Sequence, residues 1–272
     1  MIDLHSHILP GVDDGAEDLD EALEICRLAY EDGVRAMVAT PHLRQESFWN
    51  DDRNLLVDRF KALRAAVRRT FEGEFEIHLG GEIAVHGASL EEINQLPGGN
   101  LLTLAGTSYL LLELDWHGVG PDPHEMIHEV VVAGFRPIIA HPERVAWFVR
   151  DRELVESLVD QGAMMQLTAM SVTGELGRRT QETSEWMLDA GLVHFLASDA
   201  HDPSLRHPGL KNARQVVAER WGEPLAQALV EDHPQAVLED RPIDARAVPI
   251  EREAKAGLWS GFARRLLSGE ED

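Results

Sequence analysis

Short apolar runs of strand character alternate with amphipathic runs of helical character along most of this chain, and that alternation restricts the fold more than any other feature. The opening run, Ile2 to Leu9, reads as a strand in which residues two apart share a face, so His5 and His7 project side by side. Residues 18–32 follow as a helix with Leu19, Leu23, Cys26 and Ala29 on one stripe, and Gly33 stops it. The same grammar gives strands over 35–40, 76–82, 109–114, 136–142, 163–168 and 193–199. Between them it gives helices over 51–71, 88–95, 123–133, 151–161 and 178–190. About seven strand–helix units in series imply a parallel sheet with helices outside. Strands this apolar, at this regular spacing, suit a closed barrel better than an open doubly wound sheet.

No linker divides the chain before about residue 230. Residues 232–250 hold Pro234, Pro242 and Pro249 with few apolar side chains and read as irregular connection. Residues 251–268 carry Leu258, Trp259, Phe262, Leu266 and Leu267 at helical spacing. The expected division is therefore a barrel over 1–238 and an extension with a final helix over 239–272.

Composition narrows the class. Acidic residues number 48 against 25 basic ones, a net charge of −23, which argues against nucleic acid or an anionic membrane as a general partner. There is no apolar run of transmembrane length and no basic segment leading into an apolar one, so neither a membrane span nor a signal peptide is expected. The single cysteine, Cys26, excludes an internal disulfide framework and fits a reducing cytoplasm. It lies on an apolar helical stripe with Asp32, not arginine, six residues on, so the cysteine-based phosphatase mechanism is excluded. No phosphate-cradling Gly-rich loop and no Gly-x-Ser-x-Gly elbow occurs.

The polar residues carry the chemistry. His5 and His7, His42, Glu82, Glu113, His141, and Asp199 with His201 each fall near the end of an expected strand, and Asp13 and Asp14 follow on the first loop. In a parallel barrel those ends open on one face. Clustered carboxylates there repel one another unless cations neutralise them. So many ligands exceed the needs of one ion, and a mixed set of imidazoles and carboxylates suits manganese, iron or zinc rather than calcium. Two to three divalent ions are expected.

Asp3-Leu4-His5-Ser6-His7, Pro41-His42, Gly81-Glu82, His141-Pro142 and Asp199-Ala200-His201 together resemble the PHP (polymerase and histidinol phosphatase) superfamily. The longer runs His5–Ala16, Ala140–Arg144 and Ser198–His201 are similar to the manganese-dependent protein-tyrosine phosphatases of bacterial capsule and exopolysaccharide loci. The resemblance extends to about residue 238. It implies a distorted (β/α)7 barrel with a trinuclear site. His5, His7, Glu82 and Asp199 would hold the first ion, Glu82, Glu113 and His141 the second, and Asp14, His42 and His201 the third. Asp14 is preferred over Asp13 because the family's acidic residue directly precedes glycine. The implied substrate is a phosphotyrosine protein, a bacterial tyrosine kinase.

A metal cluster lowers the pKa of water and stabilises charge in an in-line displacement at phosphorus. Tyrosine phosphate needs less from a general acid than an alkyl phosphate, because a phenol has a pKa of ~10. Arg144 and Arg206, each a few residues beyond a proposed ligand, are the expected phosphate clamps. Two other functions stay open at this point: a small-molecule phosphomonoesterase such as a histidinol-phosphatase, and a non-catalytic metal-binding scaffold.

Overall fold

The apolar runs become short buried strands, and all pairings between those strands are parallel. The computed structural model describes residues 1–85, 92–93, 99–116 and 122–246. Its strands form two sheets. One holds β1 (Ile2–Ser6), β2 (Ala36–Ala39) and β4 (Glu76–Leu79) in that order. The other runs β3 (His42–Leu43), β5 (Glu82–Ala84), β6 (Tyr109–Glu113), β7 (Arg136–Ala140), β8 (Met164–Thr168) and β9 (Val193–Ala197). Helices α1 (Leu19–Asp32), α2 (Arg53–Thr70), α3 (Pro123–Val132), α4 (Arg152–Asp160) and α6 (Arg178–Asp189) separate the strands. A short α5 (Ala169–Thr173) follows β8, and α7 (Lys211–Trp221), α8 (Glu223–Gln227) and α9 (His233–Leu238) follow β9. Asp18 caps α1 by accepting from the amides of Asp20 and Glu21, and Gly33 closes it in the left-handed conformation.

One expected strand is broken in two, and a short strand not expected from the sequence follows another. Residues 76–82 divide at Gly80-Gly81, and Thr40-Pro41 separates β2 from β3. The breaks lie side by side: the Gly80 amide donates to Ala39 O at 2.8 Å and the Glu82 amide to Pro41 O at 3.1 Å. Gly81 is required there because a Cβ would overlap the Leu43 side chain. The end of β1 bonds on both sides. Its Ser6 O accepts from the Thr40 amide at 2.8 Å, while His5 O accepts from Asp199 N at 3.0 Å and His7 N donates to Ala200 O at 2.8 Å.

Strand alternation sorts the core into two clusters. Met37, Ile139, Met165 and Leu196 face the helices, packing with Ile25, Leu63, Ile127 and Leu158. Their immediate neighbours Val38, Ile138, Met164 and Phe195 point the other way and meet Leu4, Leu111 and Val237.

The segment expected to be irregular from 232 holds α9, which continues directly from a π-helical turn over Ala228–Asp232 and carries Pro234 near its start. Residues beyond it pack on the body: Tyr109 Oη donates to Arg241 O at 2.6 Å, and His194 Nε2 lies 2.8 Å from Ala245 O. The helix expected over 251–268 lies outside the described residues, as does most of that over 88–95. No helix among the described residues is long and apolar enough to cross a membrane.

Candidate metal centre

Glu82 opens β5 fully buried, and four histidines surround it. Its Oε2 lies 3.3 Å from His5 Nε2, 3.3 Å from His7 Nε2 and 3.1 Å from His42 Nδ1, and its Oε1 lies 2.9 Å from His141 Nε2. Asp199 Oδ1 comes within 3.4 Å of His5 Nε2 and 3.6 Å of both His7 Nε2 and His201 Nδ1. Asp14 Oδ1 closes the open side, 3.4 Å from His42 Nε2 and 3.3 Å from His201 Nε2. Glu113, at the end of β6, approaches His42 Nδ1 at 3.6 Å. Every residue singled out as a ligand in the sequence thus reaches one site.

Four overlapping groups in this site have ligand atoms within 4.8 Å of one another. They are His7, Asp14, His42 and His201; His5, Glu82 and His141; His5, His7 and Asp199; and His42, Glu82 and Glu113. His141 therefore groups with His5, and Glu113 with His42, whereas the family resemblance grouped His141 and Glu113 together. Glu82, like His5, His7 and His42, belongs to two of the groups.

The carboxylates and imidazoles of this arrangement set one another's protonation. Burial and the neighbouring Glu82 charge both push the Glu113 carboxyl up. Burial also opposes charge on Asp199, but His5, Arg206, His141 and His201 outweigh it and hold the carboxyl well below the usual range. Burial disfavours a protonated His7, yet Asp13 overrides it and lifts His7 to about 9. His42 reaches about 11 against the same burial, through Glu82 and Asp14. Glu82 Oε2, Asp199 Oδ1, His42 Nδ1 and His201 Nε2 are buried without a hydrogen-bond partner. A mixed nitrogen and oxygen donor set with orphaned lone pairs pointing inward fits divalent transition ions.

Supporting residues hold the donors in place. The Asp13 side chain is buried; its Oδ2 lies 2.8 Å from His7 Nδ1 and accepts from the His42 amide at 3.1 Å, and its Oδ1 accepts from Gly15 N at 3.0 Å. Gly15 packs on His7 so closely that a Cβ would overlap the His7 carbonyl. Asp3 accepts from Ser198 Oγ at 2.5 Å, Ser198 N at 3.1 Å and His5 N at 3.3 Å, tying the first strand to the segment that bears Asp199. Glu143 Oε1 accepts from Thr168 N at 3.1 Å and Ser171 Oγ at 2.6 Å, which pins the turn between His141 and Arg144. His141 (φ 34°) and Asp199 (φ 55°) both sit in the left-handed region, a strained backbone that aims their side chains inward. Sequence reading left Asp3, Gln166, Glu143 and Ser198 without roles. Asp3, Glu143 and Ser198 stood inside the family-like motifs, whereas the one signal for Gln166 was a polar residue in an otherwise apolar strand.

Arg144 Nη1 and Arg206 Nη2 meet on the outer oxygen of Asp199, at 2.8 Å and 2.7 Å. Arg206 Nη1 also lies 3.8 Å from Asp14 Oδ2, and the Arg144 guanidinium sits 4.6 Å over the Trp116 ring. A cavity of about 390 Å³ opens beside Glu113, lined by Gln45, Ser47, Val85, Leu114 and Trp116.

A family model described as "Capsular polysaccharide synthesis, CpsB/CapC" matches residues 1–239. The chain belongs to the CpsB/CapC family. Among its relatives, the tyrosine-protein phosphatase YwqE of Bacillus subtilis is 33% identical over 239 residues, which cover 85% of this chain and 89% of YwqE. The tyrosine-protein phosphatase CpsB of Streptococcus agalactiae is 29% identical over 247 residues, covering 88% of this chain and 99% of CpsB. A solved structure from work on YwqE of Bacillus subtilis and CpsB of Streptococcus pneumoniae, described as unique metal-dependent tyrosine phosphatases, superposes with a TM-score of 0.82 at 29% identity. That match covers 89% of this chain and 96% of the other. The CpsB/CapC chain is thus related over almost all of its described length.

Proposed function

We propose that this chain is a metal-dependent protein-tyrosine phosphatase that acts on phosphotyrosine of a bacterial tyrosine kinase serving capsule or exopolysaccharide synthesis. The observation that carries the reading is the convergence of His5, His7, His42 and His141 on the buried carboxylate of Glu82, with Asp14, Glu113, Asp199 and His201 around it. The family membership and the names of its relatives supply the substrate class.

In this reading the two sheets are parts of one distorted (β/α)7 barrel spanning 1–238, with 239–272 as an extension. The breaks at Thr40-Pro41 and Gly80-Gly81, and the bonds from His5 and His7 to Asp199 and Ala200, support that continuity. His5, His7, Asp14, His42, Glu82, Glu113, His141, Asp199 and His201 hold two to three divalent ions, most favourably Mn2+. Iron or zinc fits the same donors. Such ions, when bound, would neutralise phosphate oxygens and acidify water near neutral pH. The lone buried thiol of Cys26, pushed up to about 12 by burial, takes no part and suits a cytoplasmic protein.

Arg144 and Arg206 orient the phosphate. Both guanidiniums already point at one edge of the cluster, and a phosphate arriving there competes with Asp199 for their donors. The cavity beside Glu113 gives the aryl group an exit from the cluster, with Trp116 as a wall.

The test is hydrolysis by the purified protein with added manganese of a phosphotyrosine peptide, para-nitrophenyl phosphate and histidinol phosphate. The two aryl phosphates are expected to turn over, with activity lost on chelation. A protein that hydrolysed none of them would overturn the reading, and a strong preference for histidinol phosphate would replace it with the small-molecule one.

A further inference from the structure

Gln166 is the one amide in β8, a strand that reads Met-Met-Gln-Leu-Thr, and it is fully buried. It takes no part in any function derived above. Its carboxamide has one neighbour of consequence: Nε2 lies 3.0 Å from His5 Nδ1. Its Oε1 is buried with no hydrogen-bond partner. The other ring nitrogen of His5, Nε2, faces Glu82 Oε2 at 3.3 Å, His7 Nε2 at 3.1 Å and Asp199 Oδ1 at 3.4 Å.

These contacts constrain one another. If His5 offers its Nε2 lone pair to an ion in the cluster, its neutral ring must carry the proton on Nδ1. A protonated Nδ1 is a donor and needs an acceptor. The Gln166 amino group, itself a donor, cannot serve. The two ends of a carboxamide have nearly the same shape, so a half-turn about the last bond exchanges them without disturbing the packing. It also brings the acceptor to the one place where the loaded site needs it.

We infer that Gln166 is a positioning residue for the metal centre, its Oε1 accepting from His5 Nδ1–H and so fixing the tautomer that turns the His5 Nε2 lone pair inward. This rests on the reading of His5 as a ligand. It extends that reading to a residue on a different strand, buried behind the site. The same arrangement holds His7 from the other side, where Asp13 lies 2.8 Å from His7 Nδ1. With the carboxamide so turned, His5 would have an oxygen behind its ring as His7 does, the usual arrangement for ligating histidines.

The experiment measures manganese affinity and stoichiometry by calorimetry and elemental analysis on the full chain, wild type against Gln166→Met and Gln166→Glu. Methionine keeps the length and packing of glutamine but gives up the strong acceptor. Glutamate keeps the acceptor and strengthens it. Affinity is expected to fall about 10–100-fold in Gln166→Met and to stay equal to or tighter than wild type in Gln166→Glu. A role in packing alone predicts the reverse order, because a buried carboxylate disturbs an apolar strand more than methionine does. Wild-type affinity in Gln166→Met, or an equal loss in both variants, would overturn the assignment while leaving the metal reading intact. Should Gln166→Met fail to fold, Gln166→Glu decides alone: retained affinity supports the role and a loss beyond tenfold refutes it. A wild-type protein that took up no manganese would remove the metal reading and this assignment together.

Discussion

Asp13 Oδ2 lies 2.8 Å from His7 Nδ1, so the first of the two adjacent aspartates faces the back of the imidazole and not the cluster. The second, Asp14, is the half-exposed one that reaches His42 and His201 at the open side. Burial raises the Asp14 carboxyl, but the neighbouring His201 and His42 imidazoles override it and hold it well below the usual range. The two neighbours therefore have different jobs, and their substitutions separate.

Asp14→Ala is expected to lower the number of ions bound per chain, because it removes a donor from the group with His7, His42 and His201. Asp13→Ala is expected to keep the stoichiometry and weaken affinity about 10–100-fold, the usual effect of losing the oxygen behind a ligating histidine. Elemental analysis and manganese titration of both variants check this. Equal stoichiometry in the two would show that Asp14 is not a ligand.

Arg144 and Arg206 share the Asp199 Oδ2 atom, so each holds in part what the other holds. Arg206→Ala leaves Arg144 in place on Asp199, and metal content is expected to stay at the wild-type level. Turnover of a phosphotyrosine peptide is expected to fall roughly 10–100-fold, as for loss of a charged donor to a transferring phosphate. Arg206→Lys keeps the charge without the planar fork and is expected to recover only part of it. If metal is lost with the activity, Arg206 supports Asp199 and does not grip phosphate.

Much of this site was legible because strand ends in a parallel α/β fold collect on one side, so residue type and position along the period-2 pattern were enough to bring His5, Glu82 and Asp199 together. The pairing of donors into groups was not legible. His141 reaches His5 and Glu82 because its backbone adopts φ 34°, which no pattern of apolar residues encodes. The breaks between β2 and β3 and between β4 and β5 were half visible: Gly80-Gly81 and Pro41 stood in the sequence, but the division of the pairing between two sheets did not. Helix α7 escaped notice because only Ala213, Val217 and Trp221 of it are buried, too narrow a stripe among charged residues to stand out.

The elevated histidines predict how metal and protons compete. With no ion bound, the Asp13 and Glu82 charges overcome burial, keeping His7 protonated up to about 9 and His42 up to about 11. A ligating imidazole must be neutral, so binding expels those protons. Manganese affinity is expected to rise with pH from about 6 to about 9, with more than one proton released per chain. Calorimetry in two buffers of different ionisation enthalpy counts the protons, and a pH-independent affinity would contradict the protonated state of the empty site.

Far from the cluster, His194 links β9 to the segment beyond α9. Its Nδ1 accepts from the Met165 amide at 3.0 Å, which leaves Nε2–H to donate to Ala245 O at 2.8 Å. Burial pushes this imidazole down to about 4, outweighing the support of the Ala245 carbonyl, with His233 adding to the depression. The unfolded chain, titrating near 6.5, therefore binds a proton that the folded chain refuses between about pH 6.5 and about pH 4. Stability contributed by the neutral ring is complete above that window and is lost as pH falls through it, by about 2 kcal/mol between pH 7 and pH 5. His194→Gln keeps a hydrogen-bonding group at the site and cannot titrate. Urea midpoints at the two pH values are expected to differ less in the variant than in the wild type, even though the variant is the less stable protein at pH 7. An identical pH dependence in both would mean that His194 is not held neutral in the folded chain.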